Sequence, residues 1–329
     1  MKNPIFGSVL ITGATGLLGS ELLAQLIENR EASRIVCLVR DSVPQSRFYT
    51  ENLSKQIVVV QGDLRDQNLL DRVLNEYEIN TVFHLAAQTI VGHANLRPTE
   101  TLDVNIRGTW ALLEACRLNS KHIKTILFAS SDKAYGNLHG ERYSEASPLA
   151  GEHPYDVSKS CADLIAQMYA KTYKTPVAIT RCGNFFGPGD LNESRIFPST
   201  ILSVMKNERP QIRSNGLFVR DYIFVSDGAA AYRTLAKKMV ESPNQFIGEA
   251  FNFSYELKLT VIDVVKTILQ KMNSNLSPEI LNQASHEIPV QALDSTKAIK
   301  LLNWKPLFGF EEGVKKTVDW YKNNFDGRS

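Results

Sequence analysis

Apolar positions in the first half of the chain come in short β-branched runs, separated by stretches with a helical repeat. Ser8–Thr12 is one such run, bounded by a glycine on each side, and predicts a short buried strand. Arg34–Val39 predicts a second strand, 57–60 a third, 81–85 a fourth, Thr125–Ala129 a fifth and 177–181 a sixth. Between them the apolar residues recur with helical spacing, at Leu22, Leu23, Leu26 and Ile27, across 68–77, and across 101–119 with Leu112, Leu113 and Ala115. Strands that alternate with helices predict an α/β fold, a doubly wound parallel sheet covered on both faces. Ligands of such a sheet sit beyond the carboxyl ends of its strands.

The pattern changes after Thr180. Gly183, Gly187, Pro188, Gly189 and Pro198 punctuate the chain there. We read residues 1–183 as the sheet domain and 184–329 as a smaller, mostly helical lobe with helices at 261–270 and 311–321. A return to the first domain is expected near 220–255, entered by Arg220-Asp221-Tyr222-Ile223-Phe224-Val225. No flexible linker separates the two parts, so they are expected to share a cleft.

Composition narrows the function. A net charge of +2 gives no basic field for nucleic acid. No run approaches the roughly 20 apolar residues of a membrane span. The apolar N-terminal stretch is broken by Thr12-Gly13, which argues against a secretion signal. Cys37, Cys116, Cys161 and Cys182 lack metal-type spacing. They read as reduced thiols of a cytoplasmic protein, with no metal site.

The candidate chemistry lies at predicted strand ends. Gly13-Ala14-Thr15-Gly16-Leu17-Leu18-Gly19 joins the first strand to a helix. Glycines at that spacing allow a tight turn, and the helix start offers free N–H groups to a pyrophosphate. Arg40-Asp41 follows the second strand, where a dinucleotide fold reads the adenosine ribose. An acid there accepts from a 2′-hydroxyl and an arginine binds a 2′-phosphate; Arg40, with Arg47 nearby, leans toward NADP over NAD. Gly62-Asp63-Leu64 follows the third strand and Ala86-Ala87-Gln88 the fourth. Ser131-Asp132-Lys133 follows the fifth, and Tyr155-x-x-x-Lys159 lies on the next helix. At that spacing a phenol and an ammonium share one helix face, and the ammonium is expected to lower the phenol's pKa.

These motifs resemble the extended short-chain dehydrogenase/reductase family of nucleotide-sugar enzymes, which have a Rossmann fold. The resemblance covers nearly the whole chain. It rests on the glycine loop, Gly62-Asp63-Leu64, His84-Leu85-Ala86-Ala87, Asn105-x-x-Gly108-Thr109, Ser130-Ser131, Tyr155-x-x-x-Lys159, Arg181 through Pro188, Arg220-Asp221-Tyr222, Leu302-Asn303-Trp304-Lys305-Pro306 and Trp320-Tyr321. It implies that Tyr155 is the base and acid at a sugar 4-hydroxyl, that Ser131 bonds the same oxygen, and that Lys159 holds the nicotinamide ribose. Gly13, Thr15, Gly16, Leu17, Leu18, Gly19, Arg40, Asp41, Asp63, Leu64, Leu85, Ala86, Ala87 and Asn105, with Tyr155, would hold the rest of a tightly bound cofactor. Gln88, Asn184, Arg195 and Arg220 would hold the nucleotide sugar. The helices at 101–119 and 157–174 would form a homodimer interface.

Within that family, Asp132-Lys133 resembles the CDP-glucose 4,6-dehydratases and the inverting UDP-N-acetylglucosamine 4,6-dehydratases, closest to the CDP-glucose type. Tyr222 departs from that type's pattern. The implied reaction gives a 4-keto-6-deoxy sugar, with Lys133 as base at C5 and Asp132 as acid at the 6-hydroxyl. A 4-epimerase or a C4 oxidoreductase would need only Tyr155, Lys159 and Ser131. A non-catalytic dinucleotide sensor on the same fold would need neither Tyr155 nor Lys159.

Overall fold

Val9, Leu10 and Ile11 are fully buried because β1 (Ser8–Thr12) runs through the middle of a sheet, paired on both edges. The computed structural model describes residues 4–139, 142–283 and 288–325. The chain continues through α1 (Leu17–Glu28), β2 (Arg34–Val39), β3 (Val58–Gln61), α2 (Gln67–Glu76), β4 (Thr81–His84), α3 (Gly108–Leu118), β5 (Thr125–Ala129), α4 (Pro154–Tyr173) and β6 (Val177–Cys182). After these come β7 (Asn184–Phe186), α5 (Ile196–Met205), β8 (Tyr222–Phe224), α6 (Val225–Glu241), β9 (Ala250–Phe253), α7 (Val261–Lys271) and α8 (Gly309–Phe325).

Seven strands pair in parallel in the order β9-β6-β5-β4-β1-β2-β3. The order reverses between β1 and β4, which opens a crevice at their carboxyl ends. Side chains alternate along β1. Val9 and Ile11 pack with Leu22 and Leu26 of α1 and with Tyr232 and Leu235 of α6. Leu10 packs on the opposite face with Leu70, Leu112, Leu113, Ile126 and Ala166. Both faces are thus covered, as continuous apolar strands require.

A third core gathers residues from the C-terminal part of the chain. Phe186, Phe197, Ile201, Val264, Ile268, Val314 and Val318 form it, with the Phe186 and Phe197 rings stacked 4.1 Å apart. Residues 220–255 hold β8, α6 and β9; α6 packs on α1 and β9 extends the sheet beside β6. The stretch 289–293 is tied between two parts of the chain. Val290 bridges to Val219 and Leu293 to Tyr143.

Two differences from the expected pattern are physical. β3 lies one residue later at each end than the apolar run suggested. The helix expected across 101–119 begins at Pro98 and contains a π turn at Asp103–Arg107, which apolar periodicity does not reveal. No helix among the described residues is long and apolar enough to cross a membrane.

Candidate active site

The crevice is lined by backbone before side chains. Gly13 has φ +78°, and a Cβ there would lie 2.7 Å from the Ala86 nitrogen; one on Gly19 would lie 2.1 Å from the Gly13 oxygen. Only glycine permits the ends of β1 and β4 and the start of α1 to meet this closely. Gly16 is the extended residue before α1, with no side-chain cap and no acid in the first turn. Thr15, Leu17 and Leu18 are half-buried around it. Open N–H groups at the positive end of a helix, with no Cβ in the way, fit a dinucleotide pyrophosphate. Thr12 accepts from the Ala86 N–H (3.2 Å) and meets His84 Nδ1 at 2.9 Å, and His84 Nε2 meets the Thr109 hydroxyl at 3.1 Å. Burial, with Lys159's charge beside it, brings His84 down to about 3. A neutral imidazole therefore spaces the strand ends, and Leu85, Ala86 and Ala87 follow half-buried.

At the carboxyl end of β2, Arg40 donates to Asp41 at 2.5 Å, and both are largely exposed. Arg47 is committed elsewhere, to Glu21 at 2.5 Å and Glu51 at 2.6 Å. Asp63 receives Arg65 at 2.8 and 2.9 Å, and that hydrogen bonding holds its carboxyl below the ordinary range. Leu64 is buried under Gly108, where a Cβ would lie 2.8 Å from it.

Asn105 is a clamp. Its amide accepts from the Gln88 N–H (2.7 Å) and donates to the Gln88 carbonyl (3.0 Å) and the Ser158 hydroxyl (2.9 Å). It therefore fixes the loop after β4 against α4. The Gln88 side chain closes on Ile90, accepting from its N–H at 2.7 Å and donating to its carbonyl at 3.2 Å.

The catalytic candidates converge at the end of β5. Ser131 caps a short 3₁₀ turn, Asp132–Tyr135, by accepting the Lys133 N–H at 3.2 Å. Its hydroxyl donates to Asp132 Oδ1 at 3.0 Å. Asp132 Oδ2 is buried with no partner among the described residues. Burial raises the Asp132 carboxyl above its usual range, against the pull of Lys133, Ser131 and Arg220. Asp132 and Lys133 form no ion pair; the Lys133 amine donates instead to Gln291 Oε1 at 3.3 Å.

Tyr155 and Lys159 share one face of α4, both buried. The expectation that Lys159 lowers the Tyr155 pKa is not met here. Burial pushes the phenol up to about 12, with Ser131 and Arg195 pulling the other way and Asp132 adding to the rise. The Lys159 amine is turned to the Ala129 carbonyl at 2.8 Å, and burial brings it down to about 8 against the pull of Asp163.

Arg195, just before α5, meets Asp190 at 3.3 Å and lies close enough to act on Tyr155. Arg220 donates to the carbonyls of Val219 (2.9 Å) and Pro289 (3.4 Å) and acts on Asp132. Asn184 donates to the Asp221 carbonyl at 3.3 Å. Ser131, Asp132, Lys133, Tyr155 and Lys159 are thus brought together, with Arg195 and Arg220 within electrostatic reach. Arg40, Asp41 and Asp63 lie across the crevice at β2 and β3.

Gln291 is the residue that sequence reading did not single out. It is fully buried and bonded to Lys133 across 158 positions of chain. It lies in a stretch with no motif and no periodicity, so no local signal marks it.

A nucleotide cradle at the switch point and a Ser-Asp-Lys turn facing a Tyr-x-x-x-Lys helix define a sugar-modifying member of the short-chain dehydrogenase/reductase class. The family model described as "GDP-mannose 4,6 dehydratase" matches residues 10–317, and the chain belongs to that family. It is 31% identical over 350 residues to dTDP-glucose 4,6-dehydratase of Neisseria gonorrhoeae, covering 96% of each chain. It is 29% identical over 325 residues to the human dTDP-D-glucose 4,6-dehydratase, covering 96% of this chain and 90% of the other. Among solved structures it is similar to dTDP-glucose 4,6-dehydratase of Bacillus anthracis in complex with NAD (TM-score 0.84, 25% identity, 97% and 98% covered). It is also similar to UDP-glucose 4-epimerase of Thermotoga maritima (TM-score 0.87, 25% identity, 97% and 99% covered). These relatives do not support the CDP-glucose likeness read from Asp132-Lys133. Nor do they support the NADP preference read from Arg40, since the Bacillus enzyme holds NAD.

Proposed function

We propose that the chain is a nucleoside-diphosphate-hexose 4,6-dehydratase that yields a 4-keto-6-deoxy sugar. The observation that carries this reading is Asp132. A buried carboxyl with one unpartnered oxygen, raised above its ordinary range, sits beside the Lys133 amine at the strand end that faces Tyr155. An epimerase has no use for such a pair.

In this reading Tyr155 takes the 4-hydroxyl proton while Ser131 bonds the same oxygen. A nicotinamide held at the glycine cradle and by Lys159 would supply the hydride acceptor and donor. With a ketone at C4, the C5 proton becomes acidic, and Lys133 removes it. Asp132, protonated, gives its proton to the leaving 6-hydroxyl, which departs as water. C6 would then take back the hydride that C4 gave up, and Lys133 returns a proton to C5. The count closes once Tyr155 enters as the phenolate: it gains one proton, Asp132 loses one, and solvent exchange restores both.

NAD is the proposed cofactor. Support comes from the Arg40–Asp41 pair, which offers a carboxylate to a 2′-hydroxyl, and from the commitment of Arg47 to Glu21 and Glu51. The sugar is proposed to be a glucose nucleotide, after the relatives named for dTDP-glucose and UDP-glucose. A homodimer through α3 and α4 is supported by Trp110, Leu164 and Met168, large apolar side chains left exposed on them. Four free cysteines, three of them buried, suit a reducing, cytoplasmic setting. Mass spectrometry of products from dTDP-, UDP-, GDP- and CDP-hexoses tests the reaction. Loss of one water supports dehydration, and an unchanged mass with inverted C4 supports the epimerase.

A further inference from the structure

Two buried polar residues flank Lys133. On its own turn lies Asp132, and on the other side the amine donates to Gln291 Oε1 at 3.3 Å. As an ammonium Lys133 can only donate, so it faces the amide oxygen, which fixes the orientation of the Gln291 side chain. Gln291 Nε2 is then left buried with no partner among the described residues. Asp132 Oδ2 is left in the same way. A buried donor without a partner costs stability, typically about 1–3 kcal/mol. Two such atoms on residues flanking one amine therefore point to a ligand that completes them. Sugar hydroxyl oxygens can accept from both, from the Gln291 N–H and from a protonated Asp132.

The placement of Gln291 is also over-determined. Its N–H donates to the Val219 carbonyl at 3.0 Å, and the Val219 N–H donates to the Pro289 carbonyl at 2.9 Å. Tyr143 donates its N–H to the Ala292 carbonyl at 2.8 Å, and the Leu293 N–H donates to the Asp221 carboxylate. A strap whose neighbours are bonded on both sides has no freedom to swing its one polar side chain away.

Resting on the dehydratase reading, we propose that Gln291 is a third member of the elimination apparatus. Its carbonyl aims the Lys133 amine at C5, and its free N–H group donates to an oxygen of the bound hexose. An amide suits this post better than a carboxylate. It orients the amine through a dipole and adds no negative charge that would favour the protonated form. The charged groups around the amine are Asp132 on its own turn, Asp156 on α4 and Arg220 beside Asp132.

Two variants test this on the full chain with bound cofactor. Gln291→Met keeps the length and removes both hydrogen bonds. Gln291→Glu keeps the bond to Lys133 but replaces the donor with a charge. With a glucose nucleotide that the wild type dehydrates, Gln291→Met should still oxidise C4, seen as nicotinamide absorbance in one turnover. Its C5 hydrogen exchange with deuterated water should fall roughly 10- to 100-fold, the scale of a misplaced catalytic group. Gln291→Glu should shift the pH dependence of that exchange to higher pH. Normal exchange in Gln291→Met overturns the proposal. Equal loss of C4 oxidation and C5 exchange also overturns it, by showing a merely structural role. A wild type that neither exchanges C5 nor loses water overturns the dehydratase reading itself, an outcome separate from the other two.

Discussion

The Lys159 amine donates to the carbonyl of Ala129, the last residue of β5, at 2.8 Å. This bond ties α4 to the strand that ends in Ser131-Asp132-Lys133. It also sets the starting condition of the phenol: Lys159 is engaged with backbone, and burial leaves Tyr155 protonated to about pH 12. The proton of Tyr155 must therefore be drawn off by what binds beside it.

Tyr155→Phe checks this role. The ring stays, so the fold and cofactor affinity should be unchanged. Oxidation at C4 should fall by about 10² to 10⁴, the usual loss for a removed general base. Single-turnover absorbance with substrate reads it directly. Near-full turnover would show that another group takes the proton.

Much of this arrangement was legible in the sequence, and the reason is local. β1, β2 and β5 begin and end where apolar β-branched runs meet glycine, charge or serine, so their limits are written in neighbouring residues. The Gly13–Gly19 loop and Tyr155-x-x-x-Lys159 are likewise short-range patterns. Asn105 and Gln291 were not legible in their roles. The π turn that turns Asn105 toward Gln88 and Ser158 leaves no mark on periodicity. Gln291 reaches Lys133 only because backbone pairing with Val219 carries an unpatterned strap to the site.

Cofactor choice turns on Asp41. With Arg40 paired to it, the wild type should bind NAD more tightly than NADP. Asp41→Ala removes the charge that opposes a 2′-phosphate and releases Arg40. NADP affinity should then rise by about tenfold, or 1.4 kcal/mol, while NAD affinity falls. Titration of both cofactors against both proteins measures this. A wild type that prefers NADP, with the preference lost in Arg40→Ala, would contradict it.

Asp221 gives a pH-dependent stability. Burial raises its carboxyl to about 6, above the ordinary aspartate range, although the Leu293 N–H and Ser254 pull it down. The folded state thus holds a proton that the unfolded chain has already lost. Its contribution is full below the unfolded pKa and is lost as pH rises from about 4 to about 6, with a slope of at most about 1.4 kcal/mol per pH unit. Asp221→Asn should flatten that part of the curve in denaturant titrations. An unchanged slope would show that Asp221 is ionised throughout.

The apolar faces of α3 and α4 predict self-association. Leu164→Glu with Met168→Glu places charges on α4, where the wild-type side chains are exposed. Sedimentation should give a dimer for the wild type and a monomer for the variant, with the fold retained. A wild type that stays monomeric at micromolar concentration would remove the interface.

Lys133 carries the central claim. In the proposed reaction, oxidation at C4 draws on Tyr155, Ser131 and Lys159, and elimination also needs a base at C5. In deuterated water with a glucose nucleotide, the wild type should exchange the C5 hydrogen and yield a product lighter by one water. Lys133→Ala should still oxidise C4, yet its C5 exchange should drop by about 10² or more and dehydrated product should fail to accumulate. Normal C5 exchange in Lys133→Ala would show that another residue is the base. A wild type that neither exchanges C5 nor loses water on any nucleotide hexose would contradict the dehydratase account.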